Sequence, residues 1–160
     1  VANSQLYVVS GDDYPEDDPV EASFDGQRNG LCGAARPGFL LLATGRYTGD
    51  LAFLVERHDT APPLDPQWEE VVEASFRPAA ESVTLAESGA PRHLPLALER
   101  VDHRVRYCAI GFSDTINDPY DRSGHEHHLL QFWPAPPDSD RVLRVTSPEA
   151  AEWHKQFGGH

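Results

Sequence analysis

The residues best placed by type and spacing to do chemistry are His125-Glu126-His127-His128. On a β-strand, His125 and His127 point the same way about 6.5–7 Å apart, close enough to share a metal ion. Zinc needs further ligands, which His103, Asp102, Asp118 or Asp121 could supply in space. The spacing is not that of the helical His-Glu-x-x-His signature, and no second motif of fixed spacing accompanies it. The simpler reading is a loop-to-strand junction on an acidic surface, with no metal and no cofactor. A metal-binding domain or metal-dependent enzyme centred on His125 and His127 is the alternative.

A second cluster is Asp12-Asp13-Tyr14-Pro15-Glu16-Asp17-Asp18. Oxygen-rich loops bind hard cations, but the Asp-x-Asp-x-Asp-Gly order and distal Glu of a calcium hand are missing. Crowded carboxylates in solvent make either a solvated loop or a face for a basic partner. Asp12, Asp13, Glu16, Asp17 and Asp18 are accordingly the expected partner-binding residues, with the 112–126 loop as a further candidate face.

Other catalytic patterns are incomplete, and no catalytic residue is assigned. There is no Gly-x-Ser-x-Gly elbow. Cys32, in Gly30-Leu31-Cys32-Gly33, reads as a loop thiol, and Gly30-x-x-Gly33 falls far short of a phosphate loop. Glu69-Glu70 is one of many acidic pairs and does not stand out as acid and base. Cys108 lies in the apolar run Val105-Arg106-Tyr107-Cys108-Ala109-Ile110, where a thiol acts as a small hydrophobe. Sequence alone leaves open whether the two cysteines pair.

The elements that must position these residues read as strands. Fourteen Pro and twelve Gly punctuate short apolar runs. Gln5–Ser10 is the first run. Phe39–Thr44 and Leu51–Glu56, joined by a Gly-bounded loop, predict a hairpin. In Trp68–Phe76 the period of two turns Val72, Ala74 and Phe76 inward and Val71, Glu73 and Ser75 outward, and Ser82–Ala86 looks like its partner strand. Arg104–Gly111 sets Val105, Tyr107 and Ala109 against Arg106, Cys108 and Ile110. His127–Trp133 is a strand stopped by Pro134, and Arg141–Val145 an edge strand. Ser147-Pro148-Glu149 predicts one helix, with a Ser cap and Pro in the first turn. Trp68, Trp133 and Trp153 read as packing residues. The sum is an all-β fold: one domain over 1–160, an antiparallel sandwich of about seven or eight strands with a short C-terminal helix.

Charge limits the function. The 160 residues carry a formal net charge of −13, which disfavours nucleic acid and anionic membranes and suits a basic protein partner. Twelve of the thirteen cations are Arg, a bias that suits a GC-rich bacterial genome. No apolar run approaches the roughly 18 residues that a membrane helix needs. Val1-Ala2-Asn3-Ser4 lacks the features of a signal peptide, and Val1 suits a trimmed initiator Met, so a cytoplasmic location is expected.

From about Phe39 to Pro137 the chain resembles a group of uncharacterised actinobacterial β-sandwich proteins. Trp68-Glu69-Glu70-Val71-Val72-Glu73, Arg104-Val105-Arg106 leading into Ala109-x-Gly111, and Leu129-Leu130-Gln131-Phe132-Trp133-Pro134-Ala135-Pro136 carry the resemblance. The strand order is distantly similar to that of the competence-operon nuclease inhibitor family, small acidic sandwich proteins that block a DNA-entry nuclease. That resemblance implies a non-enzymatic protein-binding domain, an immunity-type or nuclease-inhibitor-like partner of a basic protein such as a nuclease or toxin.

Overall fold

A computed structural model describes residues 4–11, 19–49, 51–87, 93–113 and 125–159. Two five-stranded sheets face each other. Sheet A runs β2 (Cys32–Gly33), β3 (Phe39–Ala43), β1 (Gln5–Ser10), β6 (Val83–Glu87), β7 (His93–Leu96). Sheet B runs β10 (Arg141–Arg144), β5 (Glu70–Phe76), β8 (His103–Ile110), β9 (His127–Pro134), β4 (Ala52–Arg57). All neighbours are antiparallel except β4 and β9, which run parallel. The all-β sandwich expected from the sequence is present, with ten strands among the described residues. The additional ones are the two-residue β2 and β7, which contains Pro95.

Period-two patterning builds the core. Leu6, Val8, Leu40 and Leu42 of sheet A meet Val72, Ala74, Phe76, Val105, Tyr107, Leu130 and Phe132 of sheet B. The inward and outward faces of β5 and β8 are those the alternation predicts. Yet Val71 and Glu73 are buried, because a Pro-rich segment crosses the outer face of sheet B and covers them. The outer face of sheet A is covered as well. Val9, Phe39, Leu41 and Ala86 pack under Phe24 of a short 3₁₀ helix (Val20–Phe24) and Phe157 of α1 (Pro148–Phe157).

Two pairings expected from the sequence are replaced. Phe39–Thr44 and Leu51–Glu56 do not form a hairpin: β3 lies in sheet A, and β4 forms an edge of sheet B. β3 is buried on both faces and needs an interior place, whereas β4 alternates and suits an edge. Ser82–Ala86 likewise does not pair with Trp68–Phe76, because residues 77–82 carry the chain from sheet B to sheet A. Cys32, expected in a loop, sits in β2 and faces the core. Both cysteines are free; Cys108 belongs to the separate cluster on the outer face of sheet B.

The predicted helix is α1. Ser147 Oγ accepts from the Ala150 amide at 3.2 Å, and Pro148 opens the first turn. The helix locks onto the 27–34 loop, where the Gly30 amide donates to His154 Nδ1 at 2.9 Å. Asp140 accepts from the Asn29 amide and side chain, each at 2.7 Å. Gly30 is required by close approach, since a Cβ there would meet the Trp153 carbonyl oxygen at 2.1 Å. Among the described residues no helix is long and apolar enough to cross a membrane.

Burial holds the His154 imidazole below its ordinary value of 6.5, opposed by Asp140. A folded value below the unfolded one leaves stability intact above about pH 6.5 and removes it as pH falls, because the unfolded chain takes the proton first. Lowering the pH from 7.5 to 5 should therefore reduce the protection factor of the Gly30 amide more than those of amides in the sheet interior, read by hydrogen exchange corrected for the intrinsic rate at each pH. His154→Gln should remove that pH dependence at Gly30.

Candidate functional site

The structure separates the residues considered for a metal. His125 and His127 are exposed, while Glu126 and His128 are buried. His127 pairs with Ile110 at one end of β8, and His103 is buried at the other end. Seven residues of strand make that separation roughly 23 Å. Asp102 pairs with Arg77 at 3.6 Å. Asp118 and Asp121 lie outside the described residues, as do Asp12, Asp13, Glu16, Asp17 and Asp18. Among the described residues no group of three His, Cys, Asp or Glu could hold a metal ion.

The other candidates have structural duties. Burial raises the Cys32 thiol to about 12, with a smaller push from Asp140, so its nucleophilic thiolate is disfavoured. Burial also raises Cys108 to about 12. Glu69 accepts from the Gly111 amide at 2.8 Å. Glu70 accepts from the Thr146 and Ser147 amides at 2.6 and 3.1 Å, and burial raises its carboxyl above the ordinary value. The pair fastens backbone turns.

The surface that stands out is the outer face of sheet B. Register places Glu73, Arg106, Gln131 and Glu56 in one row across β5, β8, β9 and β4. Glu73 receives Arg104 Nε at 3.3 Å and Arg106 Nε at 3.0 Å, both ion pairs largely shielded from water. Arg106 also donates to the Pro62 carbonyl at 2.8 Å and lies over the Trp133 ring, 5.1 Å from its centre. Gln131 donates to Glu56 at 2.9 Å, and Glu56 contacts His58, also at 2.9 Å. The next row runs Val71, Cys108, Leu129, Leu54 and is apolar.

The segment from His58 to Trp68 straps this face. Its prolines limit backbone freedom, and the strap is tied down through Pro62 to Arg106 and through Pro66 and Trp68 to Arg144. Between the strap and strands β4 and β9 lies a groove of about 620 Å³, lined by Leu54, Leu129, Leu64, Trp68, Glu56 and Asp65 among others. Leu54 is 57% exposed. The Glu56 side chain is 36% exposed, and hydrogen bonds from Gln131 and then His58 hold its carboxyl below the ordinary value, so it stays charged. The groove thus presents an apolar floor with carboxylates beside it.

Sequence reasoning missed this site because Ala61-Pro62-Pro63-Leu64-Asp65-Pro66 reads as a link between elements. The available signal was the alternation Leu54, Glu56, His58, which puts one large apolar and two polar side chains on a single face.

No protein-family model and no curated protein matches the sequence. Two solved structures align with the chain. ComJ from Bacillus subtilis, inhibitor of the DNA degrading activity of NucA, aligns with a TM-score of 0.58 at 13% identity over 84% of this chain and 91% of its own. The structure described as crocagin biosynthetic gene J aligns with a TM-score of 0.47 at 12% identity, over 84% and 93%. At 13% identity the similarity to ComJ is one of fold.

The two carboxylates of the polar row should behave differently. Glu73→Ala leaves two buried guanidinium groups without their shared counterion and should cost about 3–5 kcal/mol. Glu56→Ala removes a half-exposed acceptor and should cost less than about 1 kcal/mol. Urea denaturation of both variants checks the contrast. Equal costs would mean that Glu56, too, is a structural residue.

Proposed function

We propose that this chain is a non-enzymatic inhibitor- or immunity-type protein that captures a basic partner, a DNA-degrading nuclease or a toxin, on the outer face of sheet B. The observation that carries the reading is the groove beside β4. It combines exposed Leu54 with Glu56 and Asp65 on a sandwich whose other outer face is occupied by its own helices. Contact surfaces draw affinity from a desolvated apolar centre and orientation from charges around it. The fold similarity to ComJ, itself a nuclease inhibitor, agrees with this reading.

The net charge of −13 supplies long-range attraction for a basic protein. Asp12, Asp13, Glu16, Asp17 and Asp18 are proposed to contribute to that steering. Groove residues set the lifetime of the complex, whereas steering charges set the rate of encounter.

Purified chain should be titrated into DNA-degradation reactions of nucleases from its own source organism. The expected result is stoichiometric loss of one nuclease's activity, weakened by Leu54→Lys through faster dissociation. Converting Asp12, Asp13, Asp17 and Asp18 together to Asn should slow association and flatten its salt dependence, with dissociation little changed. Undiminished DNA degradation across the whole set would overturn the inhibitor reading.

A further inference from the structure

We infer that β4 is a strand-addition edge: a positively charged, extended segment of the partner protein pairs with the free side of Ala52–Val55. The inference rests on the protein-binding reading above and specifies how the contact is made. An exposed edge strand invites pairing unless something blunts it, and the two sheets have four edges.

Three of the four edges are blunted. β2 has only two residues. β7 contains Pro95, which has no amide hydrogen to give. β10 has four residues, begins and ends with Arg, and is irregular between Val142 and Arg144. β4 is longer and more regular, and its charges are confined to Glu56 and Arg57 at its end. Its six residues pair with β9 without a break, from Ala52 with His127 to Arg57 with Phe132. It contains no proline or bulge, and Ala52-Phe53-Leu54-Val55 carries no charge. Among the described residues, no strand pairs with its second side.

The direction of the free backbone groups follows from one hydrogen bond. The His58 amide donates to the Phe132 carbonyl of β9 at 2.8 Å. Backbone polar groups alternate in direction along a strand, so those of Glu56 and Leu54 also face β9. Those of Phe53 and Val55 therefore face away, offering two donors and two acceptors in line. At the far end, Arg57 Nη1 donates to the Ala97 carbonyl at 3.0 Å, which leaves the beginning of the strand as the open part.

The occupant's chemistry follows from charge. A second copy of this chain would bring −13 against −13. A strand added beside β4 places alternate side chains on the groove face, next to Leu54, Glu56 and Asp65. Lys or Arg at those positions is complementary, and main-chain bonds provide the rest of the affinity.

A short capped peptide of alternating Lys and Val serves as the probe, with hydrogen exchange read residue by residue. Near saturation the Phe53 and Val55 amides should exchange about tenfold more slowly. The Leu54 and Glu56 amides, already bonded to β9, should be unchanged. The same peptide N-methylated at alternate positions should lose the effect, since it keeps its charge but cannot form the ladder. An alternating Glu and Val peptide should give none. Val55→Pro removes an outward donor and should abolish protection at Phe53; the N-methylated peptide decides the matter if that variant does not fold. Equal binding of the N-methylated peptide, protection confined to other strands, or self-association of the chain through β4 in sedimentation would each overturn the inference. Loss of peptide protection with nuclease inhibition intact removes strand addition alone, and the converse removes the inhibitor reading alone.

Discussion

The arrangement of the two sheets depends on one buried carboxylate. Glu126 is 1% exposed and accepts from the Gly45 and Arg46 amides, each at 2.7 Å, and from His128 Nε2 at 2.6 Å. Burying a carboxylate without such donors costs several kcal/mol. Glu126 is therefore stable only where the turn after β3 in sheet A and the start of β9 in sheet B meet around it. A second connection runs parallel to it, from Tyr107 Oη of β8 to the Ala43 carbonyl at 2.6 Å. Gly45 permits the approach, since a Cβ there would lie 1.7 Å from the Phe112 carbonyl oxygen. Apolar burial holds the sheets together but is non-directional. These polar connections fix how the sheets meet. His128 completes the joint, clustered with Phe53 and Tyr107 at ring-centre distances of 5.9 and 5.3 Å.

From that joint the proposed contact surface follows. Fixing the start of β9 fixes β4, which hangs on β9 in parallel, and with it the groove and the edge. The polar row on the outer face continues the same logic. Glu73, Arg104 and Arg106 satisfy one another under the strap, so that Glu56 at the end of the row has no burial-enforced duty. The molecule thus divides its carboxylates. Glu70, Glu73 and Glu126 hold the fold together, while Glu56 and Asp65 border an apolar groove where they can meet a cation.

Much of this was legible in the sequence and some of it could not be. The alternation of β5 and β8, the stop at Pro134 and the Ser147-Pro148 helix start are local patterns, and local patterns survive folding. Which strands pair is a long-range property, so β3 with β4 and β5 with β6 looked like neighbours only because they are adjacent in the chain. The parallel pairing of β4 with β9 leaves no local mark. The histidine cluster is instructive. Leu130 and Phe132 face the core, and the same period of two carried back two and four positions reaches His128 and Glu126. The inward members were thus readable, whereas metal-ligand spacing points to the outward His125 and His127. The groove was missed because a Pro-rich stretch signals a connection whether or not it crosses a sheet.

A partner protein is proposed to meet the outer face of sheet B along β4. A photo-crosslinking amino acid placed at position 54 and, separately, at Thr84 on the outer face of sheet A tests this contact, each variant illuminated with the inhibited nuclease. Covalent capture of the nuclease from position 54, with none from position 84, is the predicted result. Capture from position 84 with none from position 54 would contradict it.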